Sequence, residues 1–151
     1  MQGLSALYTN VMAEGFAYFY QYVNLKTKRH KKLMKNPAKF FENLYNNFND
    51  RKIDLVIANM TDDVKWANGM EGGYVFGHDE VREYWTRQFA LISSNVTPLK
   101  IETGKGVVKI TVHQVVHDLN EKLLADEIVE HLFHLKNNKI AGFDIGKKLT
   151  D

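Results

Sequence analysis

The chain has 151 residues, about a quarter of them charged, and contains no cysteine. A chain of this length fits one domain and can bury roughly two-thirds of its unfolded surface, so it needs neither a disulfide nor a structural metal. The lack of cysteine excludes disulfides, thiolate zinc sites and thiol nucleophiles. It also fits a reducing compartment, and we therefore predict a cytoplasmic protein.

The charge is unevenly distributed, although the formal net charge is only +2. Six of the 20 basic residues lie in the ten positions 26–35, whereas 17 of the 18 acidic residues lie from Asn36 onward. The region from Asn36 therefore carries 14 basic and 17 acidic residues and is mildly acidic. Nucleic-acid binders concentrate basic residues on a folded face, so we expect no nucleic-acid binding by this region.

Residues 1–35 form a predicted N-terminal extension that consists of an amphipathic helix and a basic linker. Apolar residues recur at spacings of three and four, which is typical of a helix with one apolar face. The helix has too many polar residues to be a transmembrane segment, and the chain start does not resemble a signal peptide. Four interpretations stay open: a helix docked on this or a partner subunit, a loosely ordered tail, a membrane or nucleic-acid contact through the linker, and an unrecognised leader.

Residues 36–151 are predicted to form a second region, a single α+β domain in which helices precede a sheet. Asn36-Pro37 is a typical helix start, and the apolar stripe that follows ends at Asn49-Asp50. A shorter helix should begin at Ile53, and short strands at 64–66 and 74–76 should precede a third helix that starts at Gly77. The acidic residues Asp79 and Glu80 favour that helix start because they interact well with the helix dipole.

After Ser93-Ser94 the apolar period changes from 3.6 to 2, which indicates strands at about 96–103, 106–118, 122–136 and 139–146. Two-residue turns are predicted at 120–121 and 137–138, so that partner numbers sum to 241 in the first hairpin and 275 in the second. The more apolar face of these strands should face the helices.

In the predicted register His131 lies directly opposite Asp144 on the interior face. Directly opposed side chains have Cβ atoms roughly 4.5–5.5 Å apart, so the carboxylate could orient the imidazole as a general base. Gln88, Gln114 and Glu127 are the other polar residues expected to point inward. Three interpretations of the pair stay open: a structural polar pair, a ligand contact and a catalytic group.

We predict neither a metal site nor a cofactor. His131 and His134 point to opposite faces of a strand, whereas His113 and His117 share a face but lie about 13 Å apart. Neither pair can chelate one ion. The sequence also lacks a glycine-rich phosphate loop between a strand and a helix, and it lacks a nucleophile elbow.

The order of elements resembles the nuclear transport factor 2-like superfamily, in its SnoaL-like and ketosteroid isomerase-like branch. The resemblance covers about residues 36–147, and its most similar segments are WANGMEGG at 66–73, GHDEVREYWTRQF at 77–89, VHQVV at 112–116 and residues 131–145. It implies a cystatin-like cone in which a curved, mixed but mostly antiparallel sheet wraps three helices around a cavity. It also implies a homodimer formed through the outer face of the sheet.

Isomerase chemistry does not carry over to this sequence residue by residue. The position that matches the general-base aspartate of ketosteroid isomerases holds Trp66. The oxyanion-hole tyrosine of the first helix falls near Glu42, with Tyr45 one turn away. Trp66 instead provides a flat apolar surface with one N–H donor, which suits a ring-shaped or otherwise apolar ligand.

Three functional hypotheses follow. The first is a domain that binds a small, mostly apolar ligand in a cavity lined by Trp66, Asn68, Tyr74, Trp85, Gln88, Gln114, His131 and Asp144. The second is a cofactor-independent isomerase, cyclase or dehydratase in which Asp144 orients His131 for proton transfer. The third is a dimeric structural module whose pocket is vestigial.

Overall fold

The computed structural model describes Met34 and residues 36–150. The predicted N-terminal helix and most of the basic linker lie outside this range. Within it, the chain forms three helices and six strands in the order predicted from the sequence. The elements are α1 (Pro37–Asn49), α2 (Ile53–Ile57), β1 (Met60–Ala67), β2 (Tyr74–Phe76), α3 (Gly77–Phe89), β3 (Ile92–Thr103), β4 (Val107–Asp118), β5 (Leu123–Lys136) and β6 (Lys139–Lys148).

Helix α1 begins as predicted. The side chain of Asn36 accepts a hydrogen bond from the backbone N–H of Lys39 at 3.0 Å, and Pro37 occupies the first helical turn, where its missing N–H costs nothing. The helix ends where Arg51 adopts a positive φ of 62°. Its buried face carries Phe41, Leu44 and Tyr45.

Helix α3 begins directly after β2 and is fixed to β1. The backbone N–H of Phe76 donates to the carboxylate of Glu80 at 2.7 Å, and the ring of His78 hydrogen-bonds to the carbonyl of Met60 at 3.1 Å. Gly77 has a positive φ of 76°, and a Cβ there would lie 3.2 Å from the carbonyl oxygen of Asp62. Both features disfavour a side chain and therefore favour glycine at this strand-to-helix transition.

The six strands form one curved sheet in the order β2-β1-β6-β5-β4-β3. The β1–β6 pair is parallel, and all the other neighbours are antiparallel. The three helices lie against one face, and this is the mixed, mostly antiparallel α+β cone expected from the sequence. The described part of the chain therefore has an interior sheet face that meets these three helices and an outer face that does not.

The first long hairpin has the predicted register but not the predicted turn. Ile110 pairs with His131 and Gln114 with Glu127, so partner numbers sum to 241. The loop is longer than two residues, because the backbone N–H of Asp118 already donates to the carbonyl of Lys122. A β-bulge at Leu124, between the Val116 and His117 pairs, restores the register along the rest of the hairpin.

The register of the second hairpin is wrong beyond its first two pairs. Lys136 pairs with Lys139 as predicted, but His134 pairs with Gly142 because Ala141 is an extra residue in β6. A β-bulge of one residue moves every later side chain to the other face of the sheet. Ile145, and not Asp144, therefore lies opposite His131.

Candidate functional site

A cavity of about 350 Å³ lies between the helices and the interior face of the sheet. All three helices contribute to one wall, and all strands except β2 contribute to the other. The lining residues are Leu44, Tyr45, Phe48, Val56, Trp66, Ala67, Gly69, Met70, Tyr84, Trp85, Gln88, Ile92, Ser94, Val96, Gln114, Val116, Glu127, Val129, His131, Phe133, Phe143 and Ile145. Met70 and Ile145 are exposed, so the cavity reaches the protein surface.

The structure brings five of the eight predicted site residues to this cavity: Trp66, Trp85, Gln88, Gln114 and His131. The two indoles meet edge to face with their ring centroids 5.2 Å apart. On its other side Trp66 stacks on Phe143 at 4.2 Å. Aromatic rings in contact in this way form a rigid apolar wall, since such pairs prefer offset-stacked and edge-to-face geometries.

The prediction that Asn68 and Tyr74 line the cavity is wrong. The Asn68 side chain instead organises the loop after β1, where its Oδ1 accepts from the backbone N–H groups of Met70 and Glu71. Tyr74 is exposed on the outer side of β2, with the ammonium group of Lys65 4.1 Å from its ring centroid. Asn68 lies in the loop after β1 and Tyr74 begins a strand of only three residues, so the strand period did not determine the direction of either side chain.

The predicted pair of His131 and Asp144 does not form. Because of the Ala141 bulge, the Asp144 carboxylate lies on the outer face, where it accepts a hydrogen bond from the Tyr74 hydroxyl at 2.6 Å and lies 2.8 Å from His134 Nε2. The hydrogen bond from Tyr74, followed by that from His134, lowers the pKa of Asp144 below its ordinary value. This carboxylate cannot orient the imidazole on the interior face.

His131 lies at the buried end of the cavity and is surrounded by aromatic rings. Only 7% of the residue is exposed, and its ring meets that of Phe143 edge to face at 4.9 Å. Burial lowers the pKa of His131 to about 4, because the imidazolium form would lose its hydration without gaining a carboxylate partner. The imidazole is therefore neutral at physiological pH.

The partner of His131 is Tyr45, which was not among the predicted site residues. Helix α1 directs the Tyr45 hydroxyl at the sheet, where it lies 2.9 Å from His131 Nδ1. Burial raises the pKa of Tyr45 well above its ordinary value, so the phenol is neutral as well. The apolar stripe of α1 was a signal that Tyr45 faces the interior, but it did not indicate which strand residue the hydroxyl would meet.

The surface end of the cavity is more polar. Gln114 pairs with Glu127 across β4 and β5, four residues from His131 along β5, or about 13 Å at roughly 3.3 Å per residue. Lys148, near the end of β6, forms an ion pair with Glu127 at 2.9 Å. The cavity thus has a neutral, aromatic inner end and a partly charged outer end.

Among the described residues, no group of three or more histidine, aspartate or glutamate side chains is close enough together to hold a metal ion. The same part of the chain contains no helix with the length and apolar composition needed to cross a membrane.

Comparison with known proteins identifies the fold. No protein-family model matches the sequence, and no curated protein matches it either. Solved structures do match, and the chain has the nuclear transport factor 2-like fold. A nuclear transport factor 2-like protein of unknown function from Burkholderia pseudomallei matches with 22% identity and a TM-score of 0.64, over 71% of this chain and 86% of that one.

Two further matches are similar in extent. TerC, co-crystallized with polyporic acid, has 21% identity and a TM-score of 0.62 over 68% of this chain and 83% of its own. A polyketide cyclase, described as putative, from Sinorhizobium meliloti has 17% identity and a TM-score of 0.60 over 75% of this chain and 97% of its own. Epoxide hydrolase-like proteins also match. At these identities the comparisons establish the shared fold.

Proposed function

We propose that this domain binds a small, mostly apolar, ring-shaped molecule in the cavity between its helices and its sheet. The observation that carries the proposal is an unfilled volume of about 350 Å³ beside Trp66, Trp85 and Phe143. Ligand cavities commonly measure roughly 300–1,000 Å³, with apolar walls and a few polar groups that fix the ligand's orientation. A rigid aromatic wall suits a flat ligand, because the side chains of the wall lose little conformational freedom when the ligand binds.

The state of His131 supports binding more than proton transfer. A general base works best with a pKa near the working pH, whereas the pKa of His131 is about 4 and no carboxylate of the described residues contacts it. The second candidate is a cofactor-independent isomerase, cyclase or dehydratase, favoured by the cyclase and epoxide hydrolase-like descriptions of matched structures. His131 would then act without Asp144. A module with a vestigial pocket is less favoured, because side chains do not fill the cavity.

We also propose that the protein is cytoplasmic and forms a homodimer through the outer face of the sheet. Its lack of cysteine supports a reducing compartment. The outer face combines exposed aromatic side chains, such as Tyr74 and Phe76, with ion pairs such as that of Lys109 and Glu102. Protein–protein interfaces commonly combine apolar, aromatic and charged side chains in this way.

Two neighbouring residues of β5 provide a matched test of ligand binding. Val129 is buried and lines the cavity, whereas Ile128 points to the outer face. Val129→Phe should fill the cavity and weaken binding of the neutral fluorescent probe N-phenyl-1-naphthylamine by more than about tenfold, since its ring would occupy the space that the probe needs. Ile128→Phe should leave the affinity within about twofold.

Fluorescence titration measures both affinities, and the near-UV circular dichroism spectrum checks that each variant is folded. If Val129→Phe does not fold, Val116→Phe fills the same cavity from β4. Equal affinities for the wild type, the cavity-filling variant and Ile128→Phe would show that the probe binds elsewhere, and the proposal would be wrong.

A further inference from the structure

The buried end of the cavity contains two neutral groups joined by one hydrogen bond, and the direction of that bond determines what a ligand meets. The Tyr45 hydroxyl and His131 Nδ1 are 2.9 Å apart. Either the hydroxyl donates to an unprotonated Nδ1, or Nδ1–H donates to the hydroxyl oxygen. In the first case His131 presents Nε2–H, a donor. In the second it presents an unprotonated Nε2, an acceptor and potential base.

The surroundings of Tyr45 favour the first arrangement. Its hydroxyl is buried, and His131 is its only hydrogen-bond partner among the described residues. If Nδ1–H were the donor, the hydroxyl hydrogen would have no protein acceptor there, and a buried donor left unpaired is costly. When the hydroxyl donates, both Tyr45 and Nδ1 are satisfied and only Nε2–H is left to be paired.

The second ring nitrogen of His131, Nε2, is the one that a ligand in the cavity can reach. In the described part of the chain, Thr61 Oγ1 is the one fully buried side-chain nitrogen or oxygen without a hydrogen-bond partner. His131 Nε2 has no partner there either and is not among those fully buried atoms, and His131 is a lining residue of the cavity. Nε2 is therefore available to a ligand that enters the cavity.

No charged side chain of the described residues stands near this nitrogen. On the neighbouring strands His131 is paired with Ile110 and Ile145, and the rings of Tyr45, Phe133 and Phe143 pack around it. An anionic ligand group would lose its hydration here without gaining a cation, which costs more than it recovers from one neutral donor. A neutral acceptor, such as a ketone or quinone oxygen, has no such penalty.

We propose that Tyr45 is a positioning residue that holds His131 as a hydrogen-bond donor, and that the buried end of the cavity therefore selects a neutral carbonyl oxygen on an apolar ring system. The inference rests on the proposed function, which it deepens by naming the ligand's chemical class. It also assigns His131 a role in recognition, because a protonated Nε2 has no lone pair with which to accept a proton.

Nuclear magnetic resonance of the ¹⁵N-labelled protein tests the tautomer directly. Long-range ¹H–¹⁵N correlation spectra distinguish a protonated Nε2 from a protonated Nδ1, and we expect wild-type His131 to be protonated at Nε2. In Tyr45→Phe the signal should change to a mixture of tautomers. The matched control is Tyr84→Phe, which removes a hydroxyl from another cavity-lining tyrosine that is paired with the backbone N–H of Gly69 at 3.1 Å, and should leave His131 unchanged.

Three naphthalenes of similar shape test the ligand class. The wild-type protein should bind 2-acetylnaphthalene about tenfold tighter than 2-isopropenylnaphthalene, in which a CH₂ group replaces the carbonyl oxygen, and also tighter than the anion 2-naphthoate. Tyr45→Phe should reduce the preference for the ketone over the alkene and leave the affinity for the alkene within about twofold. A merely structural role for Tyr45 would lower all three affinities together.

The possible outcomes separate this inference from the proposed function. A wild-type His131 protonated at Nδ1, or equal affinities for the ketone and the alkene, would overturn the inference while leaving a ligand cavity in place. Failure of all three compounds to bind would overturn the proposed function and with it the assignment of the ligand. An Nε2–H tautomer together with a ketone preference that depends on Tyr45 would support both.

Discussion

Two histidines of β5, three residues apart, lie on opposite faces of the same sheet and have opposite environments. His131 is buried among aromatic rings, and its Nδ1 lies 2.9 Å from the Tyr45 hydroxyl. His134 is exposed, and its Nε2 lies 2.8 Å from the Asp144 carboxylate. The interior histidine is thus paired with a neutral phenol, and the outer histidine with an anion.

The difference depends on one extra residue in β6. Without the bulge at Ala141, Asp144 would lie opposite His131 and would add a charge to the aromatic end of the cavity. With the bulge, Phe143 takes the interior position and packs against Trp66 and His131. The interior face therefore favours recognition of apolar molecules, whereas the ionic pairs are confined to the outer face.

The largest expected effect is a difference in the free energy of unfolding between two adjacent residues that lie on opposite faces of β5. Phe133 is 1% exposed and packs against Phe41, Phe143 and other interior rings, so Phe133→Ala should lower the free energy of unfolding by about 3–5 kcal/mol. Leu132 is half-buried on the outer face, and Leu132→Ala should cost about 1 kcal/mol or less.

Urea unfolding of both variants measures the two costs, with unchanged dependence on urea concentration as the control for an unaltered unfolded state. Equal costs at positions 132 and 133 would contradict the assignment of the aromatic core to the interior face.

The next effect is a dependence of stability on pH that arises from His131. Its pKa is about 4 in the folded protein and roughly 6.5 in an unfolded chain, so the unfolded state binds the proton first as the pH falls. The contribution of His131 to the free energy of unfolding should therefore be present above pH 6.5, and about 3 kcal/mol of it should be lost as the pH falls to 4. Asp144 affects stability at a lower pH, because its pKa is lowered from the ordinary value of 3.8 and its stabilising contribution is lost only as the pH falls below that value.

Unfolding experiments between pH 4 and 7 measure this slope, and His131→Phe provides the comparison. The variant should lose most of the pH dependence even if its overall stability changes, because phenylalanine cannot titrate. The remaining titratable side chains at the cavity, Tyr45, Tyr84 and Glu127, are common to both proteins. A variant that retains the full slope would mean that His131 is not the buried group responsible.

The sequence predicted the fold well because local signals determine most of it. Asn36-Pro37, the apolar stripes and the change of period near Ser94 located the three helices and the long strands, although β3 begins at Ile92, before the predicted boundary. The first hairpin register was correct although its turn was not, since a bulge at Leu124 compensates for the longer loop. The interior face of β4 and β5 could thus be identified residue by residue.

The site was less predictable, because it depends on features that the local sequence does not determine. Gly142 lies inside β6, and a glycine within a strand often marks a β-bulge, but it does not identify Ala141 as the extra residue that moves Asp144 to the other face. The contact between Tyr45 and His131 joins residues 86 positions apart, and it depends on how α1 lies across the sheet. Strand periodicity determines the face of a residue but not its partner from a helix.

A ligand titration followed by nuclear magnetic resonance tests most directly whether the interior face recognises the ligand. On addition of 2-acetylnaphthalene, the indole N–H signals of Trp66 and Trp85 and the imidazole signals of His131 should shift and saturate together, while those of His134 should not move. Saturable shifts at His134 and the outer face, with unchanged signals from Trp66 and Trp85, would contradict the account.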